Sequence, residues 1–186
     1  MCIRDRLRVG ICGWGNVATG LFRTLQTNSV EIKKRSNLEI EIIAIGARRD
    51  NPKCDPGNVI IERDIFNIID HDIDVIVELI GGVDVARDLI LKALNAKKHV
   101  VTANKAVIFN HGDELFSVAN KNGVKLLYES SVCAGTPIIK LLNQELAASK
   151  ISKISGMLNG TSNFILSNME EGLSLIHISE PTRPLY

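Results

Sequence analysis

The sequence predicts an α/β fold built on a parallel sheet, followed by the start of a second domain. Three observations carry that expectation. Short apolar runs alternate with stretches of helical periodicity, the rhythm of successive βαβ units. Hydrophobic residues make up 45% of the chain but aromatics only 4%, so the core must be built from Ile, Val, Leu and Ala, as in a sheet buried on both faces. A glycine cluster follows directly on the first apolar run.

The first strand is expected over residues 7–12, entering the glycine cluster, and a helix over 16–27. A second strand is read at 38–45, followed by a polar loop through Pro52 and Pro56, and a third at 74–80, stopped by Gly81 and Gly82. Residues 83–97 place Val85, Leu89, Ile90, Ala93 and Leu94 at helical spacing and read as an amphipathic crossover helix. A short strand follows at 99–102, then a helix over 111–122 closed by Gly123, and a strand at 124–128. Beyond Tyr128 the rhythm changes. A small, polar stretch leads to a helix opened by Pro137 and running to about Ala148, a strand at 151–158 and a helix at 161–171. A boundary near Val132 therefore separates a first domain, 7–131, from the start of a second, 132–174.

The two ends read as non-native. Residues 1–6 add no periodicity, and residues 175–186 cut off a helical pattern with Pro181 and Pro184; both resemble translated sequencing-library adapter. The net charge of +1 and the absence of any long basic run give no support for a nucleic-acid or anionic-membrane partner. No apolar stretch reaches membrane-spanning length, and the four cysteines have neither paired nor zinc-type spacing. The expected setting is the cytoplasm, with reduced thiols.

Gly13-Trp14-Gly15-Asn16-Val17-Ala18 fits the G-x-G-x-x-A pattern, after a strand and at the head of a helix. Gly13 permits the tight turn. Gly15 lets the backbone approach a pyrophosphate resting on the helix N-terminus, where Trp14, Asn16 and Val17 complete the candidate contacts. Ala18, and Gly20 one turn on, allow close packing of helix on strand. Glycines also make ordinary turns, but strand, turn, helix and the later rhythm together favour a Rossmann-type doubly wound sheet that binds a dinucleotide.

Domains selective for NAD usually end the second strand in an acidic residue that holds the ribose 2′-hydroxyl. Here that strand ends Ile45-Gly46-Ala47-Arg48-Arg49. A guanidinium suits a 2′-phosphate, so NADP is favoured with Arg48 as the contact, NAD remaining possible; the alternative is a pair of solvated loop charges. Lys105 lies just beyond the carboxyl end of a parallel strand, the edge where open α/β sheets bind ligands. It could hold substrate, transfer a proton or polarise a carbonyl, or be a surface lysine.

Over residues 7–174 the chain resembles homoserine dehydrogenases. The matching stretches are Val77-Glu78-Leu79-Ile80-Gly81-Gly82, Thr102-Ala103-Asn104-Lys105-Ala106 with the two valines before it, His111-Gly112-Asp113-Glu114-Leu115, Leu127-Tyr128-Glu129, and Leu158-Asn159-Gly160-Thr161-Ser162-Asn163-Phe164-Ile165. The resemblance implies reversible hydride transfer between L-homoserine and L-aspartate 4-semialdehyde, in threonine, methionine and isoleucine biosynthesis. It places Ile80 and Gly81 at the dinucleotide and makes Lys105 the first catalytic candidate, beside nicotinamide and substrate. Residues 129–136 resemble the family's monovalent-cation loop, implying Glu129 and the carbonyls of Val132, Ala134 and Thr136 as ligands of sodium or potassium. Without the resemblance, Glu129 reads as a helix cap in an interdomain hinge. Thr161 resembles the family's substrate-side residue and also suits a helix cap.

The implied second domain is an α+β catalytic and dimerisation domain, truncated here, so the full-length enzyme is expected to be a homodimer. The family's main proton-transfer pair lies beyond the matched stretch, and little or no turnover is expected from the chain as written. The competing readings are another small amino-acid dehydrogenase, against which the Thr-Ala-Asn-Lys and Asn-Gly-Thr stretches argue, and a non-catalytic dinucleotide-binding module.

Overall fold

The computed structural model describes residues 5–156 and 160–170, with side chains from residue 163 onward in the second stretch. The chain divides between Ala134 and Gly135 into two compact units. The first holds a six-stranded parallel sheet in the order β3-β2-β1-β4-β5-β6, the doubly wound arrangement.

Strand β1 (Arg6–Cys12) begins at Arg6, one residue earlier than its apolar run, because Arg6 pairs in register with Glu39 of β2 (Glu39–Gly46). Val9 and Ile11 point to one face, where they pack with Trp14, Ala18 and Phe22 of the first turn and of helix α1 (Asn16–Thr27). Gly10 and Cys12 point to the other. A Cβ on Gly10 would lie 2.6 Å from Ile68 Cγ2, so this glycine lets the 3₁₀ turn Ile65–Asp70 press against the sheet. The expectation that Gly20 serves such packing is corrected: Gly20 is exposed, with nothing within 4 Å of where its Cβ would be.

Helix α2 (Ser29–Ser36) and strand β3 (Ile60–Glu62) carry too little pattern to be anticipated. The helix buries no residue and is held by local bonds, notably Glu31 with Arg35 one turn on; the strand is three residues long. Strand β4 (Val75–Glu78), helix α3 (Asp84–Asn95) and strand β5 (His99–Thr102) match their periodicity closely. Helix α3 buries Ala86, Leu89, Ile90, Ala93 and Leu94.

Helix α4 (Lys105–Asn122) starts six residues before the expected His111. The β-branched and aromatic run Val107-Ile108-Phe109 has poor helix propensity, but Asn104 caps it by accepting from Val107 N at 3.2 Å. Gly123, at φ 67°, ends it as expected. Strand β6 is only Leu126–Leu127, and the single-turn helix α5 (Glu129–Val132) follows.

In the second unit the expected helix after Pro137 reduces to helix α6 (Ile138–Lys140) and a π-helical turn, Leu141–Glu145. No residue of either is buried, and a helix this short persists only where a packed face supports it. Residues 151–156 are exposed and form no strand, contrary to expectation, since no described residue of this unit offers a partner strand. The expected last helix is present as helix α7 (Gly160–Glu170). Residues 157–158 of the expected strand, Asn159, and the chain ends at 1–4 and 171–186 lie outside the described residues.

Candidate functional site

The site is built on the carboxyl edge of the sheet. Cys12, Glu78 and Thr102 are register partners across β1, β4 and β5, so the segments that follow them leave the sheet side by side. Gly13 turns the chain at φ 106°, where its N–H donates to Gly46 O at 2.8 Å. A Cβ there would sit 2.6 Å from Leu79 O, so only glycine fits between β2 and the end of β4.

Gly15 is the N-cap of α1. No side chain caps the helix, and its first turn carries no acidic residue. Gly15, Asn16 and Val17 are exposed, and nothing lies within 4 Å of a Cβ on Gly15. An open helix N-terminus with its first N–H groups facing solvent is an anion-binding surface. Trp14 differs from its neighbours. Its ring is buried edge-on against Phe22, centroids 5.2 Å apart, and its carbonyl accepts from Asn51 Nδ2 at 3.0 Å. The ring belongs to the core and only the backbone remains for a ligand.

Arg48 and Arg49, beyond the end of β2, are exposed and have no hydrogen bond or ion pair among the described residues. Sequence reasoning missed Arg63, which follows β3. Its Nη1 donates to Ala47 O at 3.2 Å and its Nη2 to Asp50 Oδ1 at 2.7 Å, so it braces the loop that carries Arg48 and engages the nearest acid. No sequence pattern signals this, because the two segments meet only through the β2–β3 pairing. A cavity of about 290 Å³ lies beside the loop, lined by Trp14, Ala47, Asp50, Asn51, Cys54 and Ile61 among others.

Past β4, Ile80 N donates to Glu78 Oε1 at 2.9 Å, and Gly81 and Gly82 follow at φ 73° and 75°, with open space where each Cβ would be. Past β5, Lys105 is the first residue of α4, exposed and without a bonding partner among the described residues. Thr102, Asn104 and the fully buried Glu78, none of them singled out from sequence, form a hydrogen-bonded chain that ends at the residue before it. Beside Glu78, burial first and then the carboxylate's field push the Cys12 thiol up to about 12, leaving it a packing group.

Glu129 opens α5, half-buried, and Ser131 in the same turn is buried and donates to Thr102 O at 2.8 Å. Val132 is half-buried; Ala134 is exposed at the end of the first unit, and Thr136 is exposed in the second. Among the described residues no three His, Cys, Asp or Glu side chains cluster to hold a metal. Thr161 lies in α7, its side chain outside the described residues. No helix among the described residues is long and apolar enough to cross a membrane.

The opposite, amino edge carries a larger cavity of about 440 Å³ lined by Arg8, Asp72, Asp74, Lys97, Lys98 and His99 among others. Most of its charges are satisfied internally, the exposed Lys97 excepted. The Arg8 guanidinium holds Asp74 through two hydrogen bonds and also meets Asp72, while Lys98 donates to Ile73 O at 2.8 Å.

The family model described as the NAD binding domain of homoserine dehydrogenase matches residues 13–129, and a second, described as homoserine dehydrogenase, matches 137–180. The homoserine dehydrogenase of Pseudomonas aeruginosa is 49% identical over 166 residues, 89% of this chain and 38% of that protein. The chain thus spans well under half the length of the curated relatives it matches. A homoserine dehydrogenase structure from Thiobacillus denitrificans superposes with a TM-score of 0.86 at 38% identity, over 94% of this chain and 41% of that one. A hyperthermophilic archaeal homoserine dehydrogenase in complex with NADPH gives a TM-score of 0.78 at 25% identity, over 93% and 59% of the two chains.

Proposed function

The chain belongs to the homoserine dehydrogenase family, and on that premise we propose that it is the dinucleotide-binding part, residues 7–131, of a cytoplasmic, homodimeric NADP-linked homoserine dehydrogenase, with the first stretch of the catalytic domain, 132–174, attached. The observation that carries this reading is the open N-terminus of α1 at Gly13–Gly15 on the same sheet edge as the exposed Lys105.

In this reading the pyrophosphate rests on the N–H groups of Trp14 to Val17, with Gly15 giving the backbone its close approach. The adenosine half extends toward the cavity beside Ala47, and Arg48 holds the 2′-phosphate. Ile80 and Gly81 lie along the nicotinamide half, where the open glycine backbone leaves room. When bound, the nicotinamide exchanges a hydride with the carbon that is alcohol in L-homoserine and aldehyde in L-aspartate 4-semialdehyde. Lys105 places an ammonium beside that oxygen and stabilises the negative charge that reduction builds on it. The resemblance further assigns Glu129 and the carbonyls of Val132, Ala134 and Thr136 to sodium or potassium, and Thr161 to the substrate.

The test pairs two measurements. A full-length enzyme carrying this segment should reduce NADP in the presence of L-homoserine, and the 186-residue chain should bind NADPH in a calorimetric titration. Binding without homoserine-dependent turnover leaves a dinucleotide-binding module; absence of both removes the reading.

A further inference from the structure

Glu78 has no side-chain exposure at all, yet it is acidic and its hydrogen-bonding partners among the described residues include no cation. A carboxylate in such a place is costly unless both oxygens are satisfied. It answers a polar demand in the core, since an apolar residue in its place would leave the buried Thr102 hydroxyl without its acceptor.

What the carboxylate does beyond this is close a circuit. Its Oε1 accepts from Ile80 N, at the entry to the Gly81–Gly82 turn. Its Oε2 accepts from the Thr102 hydroxyl. With its proton committed to Glu78, Thr102 Oγ1 accepts from Asn104 N at 3.0 Å. Asn104 then caps α4 through its Oδ1, and its Nδ2 reaches back to Gly82 O at 2.6 Å. The circuit begins and ends on the glycine turn after β4 and passes through the residue that precedes Lys105.

From this circuit we infer that Glu78 is the positioning residue of the redox edge. It fixes the Ile80–Gly82 backbone relative to the start of α4, and so sets where Lys105 stands against the nicotinamide. The inference rests on the dinucleotide reading above and adds a residue which that reading does not use. An acceptor-only group satisfies both arms at once. A glutamine in its place can keep Ile80 N only by turning its amide toward Thr102, which reverses that hydrogen bond and leaves the Thr102 hydroxyl proton without its buried acceptor.

Two ligands separate positioning from folding: NADPH, and adenosine 2′,5′-bisphosphate, which carries only the phosphorylated adenosine half. Both are titrated calorimetrically into the chain and into Glu78→Gln, Thr102→Val and Thr102→Ser. Glu78→Gln and Thr102→Val are expected to weaken NADPH by about tenfold while leaving the adenosine probe within about twofold. Thr102→Ser, which keeps the hydroxyl, should bind both like the parent chain. Equal loss of both ligands in Glu78→Gln and Thr102→Val means general damage and overturns the inference, as does unchanged NADPH affinity. If Glu78→Gln fails to fold, the Thr102 pair decides by the same criterion. If the parent chain binds neither ligand, the dinucleotide reading falls and this inference with it; a parent that binds both, with no selective loss in the variants, overturns the inference alone.

Discussion

The two edges of this sheet carry similar charges and treat them differently. At the amino edge Arg6, Arg8 and Lys33 meet Glu39, Glu41, Asp72 and Asp74, and Lys98 is taken up by backbone carbonyls. At the carboxyl edge Arg48 and Lys105 are exposed without partners among the described residues, and no side chain caps the N-terminus of α1. Size does not tell the edges apart, since the larger cavity lies at the amino one, where most charges are paired. The contrast shows where the fold has left its binding free energy available: a cation already paired gains little from a new anion, whereas an unpaired one gains the whole interaction.

Lys105→Ala tests that contrast most severely. In a full-length enzyme carrying this segment, steady-state turnover should fall by roughly 10²–10⁴, with NADPH affinity much less affected. Near-normal turnover would erase the functional difference between the edges.

The glycine turn offers a finer cut. Gly13→Ala should destabilise the chain by about 1–3 kcal/mol in urea unfolding and lose cofactor, because its Cβ meets Leu79 O at φ 106°. Gly15→Ala meets nothing within the protein, so unfolding should move only by the cost of a poorer N-cap, about 0.5–1 kcal/mol, while NADPH binding weakens markedly. If both residues behaved alike, Gly15 would be serving the fold rather than a ligand.

Arg48→Ala should weaken NADP about tenfold and barely touch NAD, measured by parallel titrations. Equal losses would return Arg48 to an ordinary loop charge.

The amino edge gives the smaller effects. Lys97 sits there at φ 57° without being glycine, so Lys97→Gly should raise stability by about 0.5–1 kcal/mol in thermal unfolding and leave NADPH binding alone. Glu39 is held below its ordinary range, first by its hydrogen bond from Lys33 and then by the fields of Lys33 and Arg6. A carboxylate whose folded value is depressed adds stability above its unfolded value, about 4.3, and loses it as pH falls through the lower folded one. Glu39→Gln should therefore flatten that part of an acid-unfolding curve slightly, and added salt should shrink the difference. An unchanged acid limb would show the pair to be idle.

Where pattern and packing agree, the chain can be read directly. Both ends of α1 and of β5 follow from local signals: glycine before the helix, alternation from apolar to polar around the strand. The Gly13 turn, the exposed arginine after β2 and the lysine beyond β5 are legible for the same reason, since each depends on its own few neighbours. Residues 151–156 mislead because a β-branched run promises a strand only where another strand accepts its hydrogen bonds. The packing role expected of Gly20 belongs to Gly10, because the 3₁₀ turn that makes contact there carries no periodic signal.

Sequence alone thus determined the order of the principal strands and helices of the first unit, the parallel sheet and the residues offered at its carboxyl edge, because these follow from periodicity, caps and chain direction. Tertiary structure alone decided which charges are paired and which stay open, that Arg63 braces the Arg48 loop, and that Glu78 lies buried against Thr102. Each of those outcomes needs partners from strands distant in sequence, such as Thr102, 24 positions from Glu78, and becomes fixed only when the sheet sets its register.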